Sequence, residues 1–226
     1  SLWGFKKLFL LMEKQHNRGQ DGVGIGCAKL DMPKGQPYIF RCRDAARDSL
    51  AGLFRRELKR VNKLARKGVV SLDDPAALKE KFDYAGEVLI GHLRYGTSGE
   101  FDSGSCHPYL RRSNWPTRTL MVMGNFNMTN STELFQRLVD YGLSPVGDSD
   151  TQVVLERIGY CLDLEHRHLR NSMGPGTFVG LEGRELAESI SRELDLARVL
   201  RRAAEDWDGG WLFAGLLGNG DSFVFR

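Results

Sequence analysis

The sequence lacks the features that mark membrane, secreted or zinc-binding proteins. No apolar run approaches the ~20 residues of a membrane-spanning helix, and the most apolar stretch, residues 2–12, is interrupted by Lys6 and Lys7. That stretch has no small-residue cleavage site, which argues against a signal peptide. The 4 cysteines lie far apart without a CxxC pair, which argues against a zinc ribbon and for a reducing compartment. We therefore expect no metal, no membrane contact and a cytoplasmic location.

The sequence also lacks a strong charge of either sign. The net charge is +3, which is too small to require a nucleic-acid partner, so none is expected. The 226 residues are 41% hydrophobic and 27% charged, proportions that exclude a disordered or collagen-like chain. Repeats, low-complexity segments and linkers rich in Pro and Ser are missing as well. These absences predict a single domain over residues 1–226.

Hydrophobic periodicity predicts both helices and strands. Apolar spacing of the helical type predicts helices near residues 5–12, 50–64, 134–141, 150–158 and 190–204. Strands are predicted at residues 23–29, 88–95 and 120–126. The apolar segments 211–217 and 222–225 flank an Asn-Gly turn, which is typical of a hairpin. Antiparallel pairing of this kind favours an α+β protein over a doubly wound sheet.

An arginine marks the end of one predicted strand. Arg94 cannot be buried without an anionic partner. Its planar guanidinium can hold a carboxylate through two parallel hydrogen bonds, and Thr97 lies close enough in sequence to add a hydroxyl. Taken alone, this segment is better explained as a solvated strand end.

Amide and carboxylate side chains follow the next predicted strand. The amides near Asn125 can aim N–H donors at one point, as an oxyanion hole requires, although turns also favour Asn. Asn130 with Glu133 resembles a capping box for the helix that follows. Asp150 opens a further helix, where an N-cap is the favoured role of its carboxylate taken alone, although it could also bind a ligand ammonium group.

Four segments, taken in chain order, resemble the motifs of one family. Residues 15–21 (QHNRGQD) resemble "QHRGQD", and residues 91–99 resemble "GHxRYxTxG". Residues 125–130 resemble "NGNLTN", and residues 149–151 resemble "SDT". These are motifs of the class II glutamine amidotransferases. The Gln-Asp pair after Arg-Gly and the Tyr after Arg94 favour the glutaminase domain of amidophosphoribosyltransferase.

The resemblance implies a fold and an activity. The fold would be the N-terminal-nucleophile hydrolase fold, a four-layer αββα sandwich with two mainly antiparallel sheets. The activity would be hydrolysis of glutamine to glutamate and ammonia through a cysteine thioester. The ammonia would feed a C-terminal phosphoribosyltransferase domain of the same chain in purine biosynthesis. No cofactor is implied for this domain, and the full-length protein is expected to form a homo-oligomer.

The resemblance also implies roles for single residues. Arg94, with help from Thr97, would bind the α-carboxylate of glutamine, and Asp150 would bind its α-ammonium group. Arg18 would help to shape the nucleophile pocket. The side-chain amide of Asn125 and the backbone N–H of Phe126 would form the oxyanion hole.

Three residues depart from the family's motifs. Phe126 stands where the family has glycine, so a positive φ at this position would be strained. Gly124 replaces the family's usual histidine, and Asn17 is inserted within the first motif.

The nucleophile departs from the family's pattern too. The family's cysteine begins a strand ahead of the first motif, whereas residues 1–14 are predicted to be mainly helical, and none of the 4 cysteines has a matching position. We therefore expect a fragment, truncated at both ends and inactive by itself. Two alternatives stay open, a glutamine-sensing or interaction domain without a nucleophile and the glutaminase domain of a different amidotransferase.

Overall fold

The computed structural model describes residues 2–96, 103–172 and 183–226. The chain divides into two compact units, Ser1–Pro108 and Tyr109–Arg226. Each unit contains one antiparallel sheet and its own hydrophobic core. The organisation of residues 1–226 as a single domain stays a prediction.

The first unit contains a three-stranded sheet. Its strands are β1 (Gly22–Ala28), β2 (Ile39–Asp44) and β3 (Val88–Arg94), in the order β2-β1-β3. Its helices are α1 (Trp3–Lys14), α2 (Ser49–Arg66) and α3 (Pro75–Lys81). Every residue of the central strand β1 is buried. Such a strand requires cover on both of its faces.

The two faces of β1 are covered by different parts of the first unit. Alternate residues, Val23 and Ile25 among them, pack with Phe5 of α1 and with α2 in one hydrophobic core. On the opposite face, a Cβ atom at Gly24 would lie 1.7 Å from the carbonyl oxygen of His107. Only glycine allows the backbone near His107 to approach the strand so closely.

The second unit contains a four-stranded sheet. Its strands are β4 (Tyr109–Arg111), β5 (Leu120–Met128), β6 (Gly209–Leu217) and β7 (Ser222–Phe225), in the order β4-β5-β6-β7. Its helices are α4 (Ser131–Asp140), α5 (Asp150–Ser172), α6 (Gly183–Glu193) and α7 (Leu196–Ala204). Alternate residues of β5, including Leu120 and Val122, pack with α5 and α7 in the core of this unit.

The structure confirms most of the predicted elements and the α+β class with two antiparallel sheets. The hairpin forms, and Gly220 adopts a φ of 99° in its turn. The predicted helix at 190–204 is two helices, because Asp195 caps a new one by accepting a hydrogen bond from the N–H of Arg198. The sequence patterns did not reveal β2, α3 and β4. Among the described residues, none of the helices combines the length and apolar character needed to cross a bilayer.

The predicted capping box at Asn130 is wrong. The Asn130 side chain makes no capping hydrogen bond to α4. Its amide instead donates to the carbonyl oxygen of Asp206 at 2.7 Å and accepts from the N–H of Asp208 at 3.1 Å. Asn130 therefore fixes the segment that leads into β6.

Candidate active site

The first two motifs meet at the end of β3. The N–H of Asp21 donates to the carbonyl oxygen of Arg94 at 3.0 Å. The Asp21 carboxylate accepts a hydrogen bond from the N–H of Gly96 at 2.7 Å. A Cβ atom at Gly19 would lie 2.7 Å from the carbonyl oxygen of Leu93, so glycine is required for this contact. These contacts place residues 15–21 directly against the end of the strand that carries Arg94.

Arg94 lies on the face of the first sheet that points away from α1 and α2. The neighbouring residues Gly91 and Leu93 face those helices, so the alternation along β3 turns His92 and Arg94 to the other side. Arg94 is buried, with 8% of its surface exposed. The rings of His92 and His107 are 4.5 Å apart on this face.

The electrostatics of this face favour an anion. Burial and then the neighbouring His92 and Arg94 lower the pKa of His107 from its usual 6.5 to about 3. The His107 ring is therefore neutral near pH 7. The guanidinium of Arg43 donates to the carbonyl oxygens of Gly104 at 2.7 Å and of Cys106 at 2.9 Å. The fixed positive charges of Arg94 and Arg43 suit the binding of a carboxylate.

The lowered pKa of His107 predicts a loss of stability in acid. Between pH 6.5 and pH 5, His107 takes up a proton in the unfolded chain but stays neutral in the folded chain, because its pKa in the folded chain lies near 3. Over that interval, His107 is expected to lower the free energy of unfolding by about 2 kcal/mol. His107→Gln should remove this part of the pH dependence in urea titrations at the two pH values. An unchanged pH dependence in the variant would contradict the placement of a neutral, buried ring.

The predicted roles of Arg18 and Thr97 are not tested by the structure. Arg18 ends a short 3₁₀ turn, His16–Arg18. Its side chain is exposed and makes no hydrogen bond or ion pair within the described parts of the chain. Its role in shaping a nucleophile pocket stays a prediction. Thr97 lies outside the described residues.

Asp150 is tied to the end of β5. Its carboxylate accepts a hydrogen bond from the N–H of Met128 at 2.9 Å. The hydroxyl of Ser149 accepts from the N–H of Gln152 at 3.3 Å, as expected of the residue that caps α5. The Asp150 carboxylate is therefore hydrogen-bonded to the end of β5, and the Ser149 hydroxyl caps the start of α5.

The backbone of β5 directs the N–H of Phe126 to the same strand edge as that carboxylate. Successive N–H groups of a strand point to alternate edges. The N–H of Thr129 donates to the carbonyl oxygen of Asp208, on the side of β6, whereas the N–H of Met128 donates to Asp150 on the other side. Two residues before Met128, the N–H of Phe126 points to the edge away from β6. The N–H groups of Phe126 and Met128 are about 7 Å apart along the strand.

Phe126 itself is a regular strand residue. Within the described ranges, the non-glycine residues with a positive φ are Asp31 and Asp48. The strain expected from a positive φ at Phe126 is therefore absent. Its ring packs 5.3 Å from the ring of Phe213 in the core, whereas Asn125, the preceding residue, is exposed on the opposite face. The two predicted oxyanion donors are neighbours at this end of the strand.

The four cysteines have different surroundings. Cys27 lies on the helix-covered face of the first sheet, where burial raises the pKa of its thiol to about 12. Cys42 packs against the same core and accepts a hydrogen bond from the guanidinium of Arg56 at 3.0 Å. Cys106 is fully buried, with its thiol 3.7 Å from a carbonyl oxygen, and burial raises the pKa of the Cys161 thiol in α5. None of the four is an exposed thiol on the Arg94 face.

The predicted site residues are distributed over both units. Arg94 belongs to the first unit, whereas Asn125, Phe126 and Asp150 belong to the second. Within the second unit, the structure brings Asp150 to the strand end that carries the two oxyanion candidates. The binding of one glutamine by residues of both units stays a prediction.

Sequence reasoning missed Met128 and His107. Met128 contributes to the site through its backbone N–H, which binds Asp150, and a motif of side chains does not indicate a role of the backbone. His107 comes close to β1 and β3 through the backbone approach at Gly24, and the glycines at alternate positions of β1 were the available signal.

The comparisons with known proteins connect this geometry to one fold. No protein-family model and no curated protein matches the chain. Among solved structures, glutamine phosphoribosylpyrophosphate (PRPP) amidotransferase from B. subtilis, complexed with ADP and GMP, matches with a TM-score of 0.52 at 18% identity. The match covers 93% of this chain and 32% of that one. The chain shares the fold of PRPP amidotransferases.

A second solved structure leads to the same conclusion. It is described as the allosteric regulatory enzyme of purine biosynthesis, and it matches with a TM-score of 0.55 at 19% identity over 94% of this chain and 33% of that one. The chain thus spans about a third of the length of the structures that it matches. The predicted resemblance to amidotransferases is confirmed at the level of the fold.

Proposed function

We propose that the chain is the glutamine-hydrolysing, ammonia-supplying domain of an amidophosphoribosyltransferase-like enzyme. The observation that carries the proposal is the fold shared with PRPP amidotransferases. Further support comes from four motifs in family order, whose described residues lie at the ends of β3 and β5 and at the start of α5. The phosphoribosyltransferase partner domain and the role in purine biosynthesis are part of the proposal.

The side chains suit a free amino acid that carries an amide. Arg94 binds the α-carboxylate, because a guanidinium holds a carboxylate by two parallel hydrogen bonds. Asp150 binds the α-ammonium group. The N–H of Phe126, on the same strand edge and about 7 Å from the N–H that holds Asp150, donates to the amide oxygen together with Asn125. That spacing is close to the length of an extended glutamine molecule.

The proposed reaction passes through a thioester. A cysteine thiol gives up its proton to a base and attacks the amide carbon, and the oxyanion that forms is stabilised by Asn125 and Phe126. The same proton is then passed to the amide nitrogen, which leaves as ammonia when the C–N bond breaks, so that the thioester remains. Water then attacks the thioester, releases glutamate and returns the thiol. The four cysteines of this chain lack an exposed position beside Arg94, so we propose that a segment preceding Ser1 supplies the nucleophile.

Glutamate release by the full-length protein tests the proposal. We expect turnover of glutamine, and Asp150→Asn should raise the KM for glutamine about tenfold, because an amide cannot form the ion pair with the ammonium group. The asparagine oxygen can still accept the Met128 N–H, so the fold should be retained. Asp148→Asn, an exposed neighbour, is the matched control and should leave KM unchanged. A KM that is the same in both variants would exclude Asp150 from the site.

A second candidate function is a glutamine sensor without a nucleophile. The burial of Cys27, Cys106 and Cys161 favours it. A sensor would bind glutamine in calorimetry, with weaker binding in Asp150→Asn, and would release no glutamate. The glutaminase domain of a different amidotransferase is distinguished by the coding sequence after Arg226, where our proposal expects a phosphoribosyltransferase domain.

A further inference from the structure

The basic side chains of α2 divide into two sets. Arg56 and Arg60 are paired with acidic groups of the first unit, since Arg56 lies 2.7 Å from Asp44 and Arg60 lies 2.7 Å from Asp83. Arg55 and Lys59 project elsewhere, are exposed, and have no ion-pair partner in the described part of the chain. The second set is therefore available to a partner.

A groove between α1 and α2 lies beside this second set. It has a volume of about 630 Å³. Its floor is apolar and contains the buried rings of Phe5 and Phe54, with Phe9 and Leu58 beside them. The rings of Phe9 and Phe54 lie 5.2 Å apart. We call this feature the α1–α2 groove.

The rim of the α1–α2 groove is cationic. Lys6, Arg55 and Lys59 line it, together with the polar Asn62, and none of its lining residues is acidic. Lys6 has no ion-pair partner among the described residues either. A positive rim around an apolar floor is complementary to an apolar side chain flanked by carboxylates.

Apolar surface continues beyond the groove along α1. Leu10, which lines the groove, is 48% exposed, and the adjacent Leu11 is 57% exposed. Trp3, at the start of the helix, is 68% exposed. Single exposed apolar side chains are common, but Leu10 forms part of the wall of an apolar groove, and such a continuous apolar patch marks an interaction surface.

The dimensions of the groove fit a short helix. Its lining runs along α2 from Ala51 to Asn62, which is about 16 Å of helix axis. Three turns of a bound helix would occupy that length and present apolar anchors at positions i, i+4 and i+7. We propose that the α1–α2 groove binds an acidic amphipathic helix of a partner protein.

A second copy of this chain suits the groove less well. The first turn of α1 contains no acidic residue and its last turn contains Lys14. Lys6 and Lys7 lie between them. Docking α1 of another copy into the groove would therefore place like charges against Arg55 and Lys59, which is unfavourable.

A designed peptide tests the proposal. The probe is a fluorescein-labelled, amidated 14-residue helix with leucine at positions 2, 6, 9 and 13 and mostly glutamate elsewhere, a spacing that follows the groove. We expect saturable binding to the full-length protein in fluorescence anisotropy. The double variant Arg55→Glu, Lys59→Glu should weaken binding about tenfold or more. Lys67→Glu, at the C-cap position of the same helix and outside the groove, is the control and should bind within about twofold of the wild type.

Three outcomes would overturn the proposal. One is equal binding of a peptide in which lysine replaces every glutamate. Another is self-association of the protein, seen by sedimentation, that the double variant abolishes while the acidic peptide fails to bind. The third is preferential binding of the groove to phosphatidylglycerol vesicles over the acidic peptide. The exposed positions of Arg55 and Lys59 mean that the variants should fold normally, which circular dichroism will verify.

Discussion

Replacing Arg94 by alanine is expected to raise the KM for glutamine about a hundredfold or more, corresponding to ~3 kcal/mol. Arg94 is buried at the end of β3, on the face of the first sheet that also carries Arg43. In the proposed site, removing the guanidinium would leave the α-carboxylate of glutamine without the two parallel hydrogen bonds that Arg94 is proposed to donate. Steady-state glutamate release by the full-length protein measures the change. The effect should fall mainly on KM, because the α-carboxylate is remote from the reacting amide.

Arg94→Lys separates charge from geometry. Lysine keeps the positive charge but lacks the planar fork, so its KM should lie between those of the wild type and the alanine variant. Thermal melting of both variants shows whether the fold is retained. A KM within twofold of the wild type for a folded Arg94→Ala protein would remove Arg94 from the glutamine site.

Replacing Phe213 by alanine is expected to destabilise the second unit by about 3–5 kcal/mol. Phe213 is 1% exposed. Its ring lies 5.3 Å from Phe126, 5.6 Å from Phe225, 5.8 Å from Trp207 and 5.9 Å from Phe223. Truncation would leave a cavity among four aromatic rings that cannot all move inward. Urea denaturation followed by tryptophan fluorescence reports on this unit through Trp207.

Val224 provides the control for that measurement. It lies on β7, next to the strand that carries Phe213, and is 74% exposed. Val224→Ala should change the free energy of unfolding by less than about 0.5 kcal/mol. Similar losses in the two variants would mean that Phe213 does not centre the core.

The elements that the sequence predicted are those with a strong local pattern. The apolar stripe of α2 extends over more than two helical turns, and the alternation in β5 extends over more than four residues. The spacing of apolar residues along the chain was therefore sufficient to predict both elements. The strand β2 was missed because Arg41 and Arg43 interrupt its apolar residues. Both guanidiniums donate to backbone carbonyls more than 60 residues away, at Pro108 and Cys106. Long-range contacts of this kind leave no local signal.

The candidate site shows the same limit. Residue types marked Arg94, Asn125 and Asp150 as candidates, and the family resemblance of their motifs implied their roles. The hydrogen bond between Asp150 and the N–H of Met128 joins residues 22 apart in the chain, and only the structure shows it. Asn130 matched a capping pattern, yet its side chain forms hydrogen bonds with residues 206 and 208, far along the chain, instead of capping α4.

The bond between Asp150 and Met128 has a mechanical consequence. It fastens the first residue of α5 to the strand that presents the N–H of Phe126. In the proposed site, the α-ammonium group of glutamine would attract the Asp150 carboxylate. Because that carboxylate is hydrogen-bonded to Met128, its movement would also shift β5, two residues from the proposed oxyanion donor. Recognition of the amino group and alignment of the reacting amide would then be cooperative. A substrate analogue without an amino group should lose turnover rate as well as affinity.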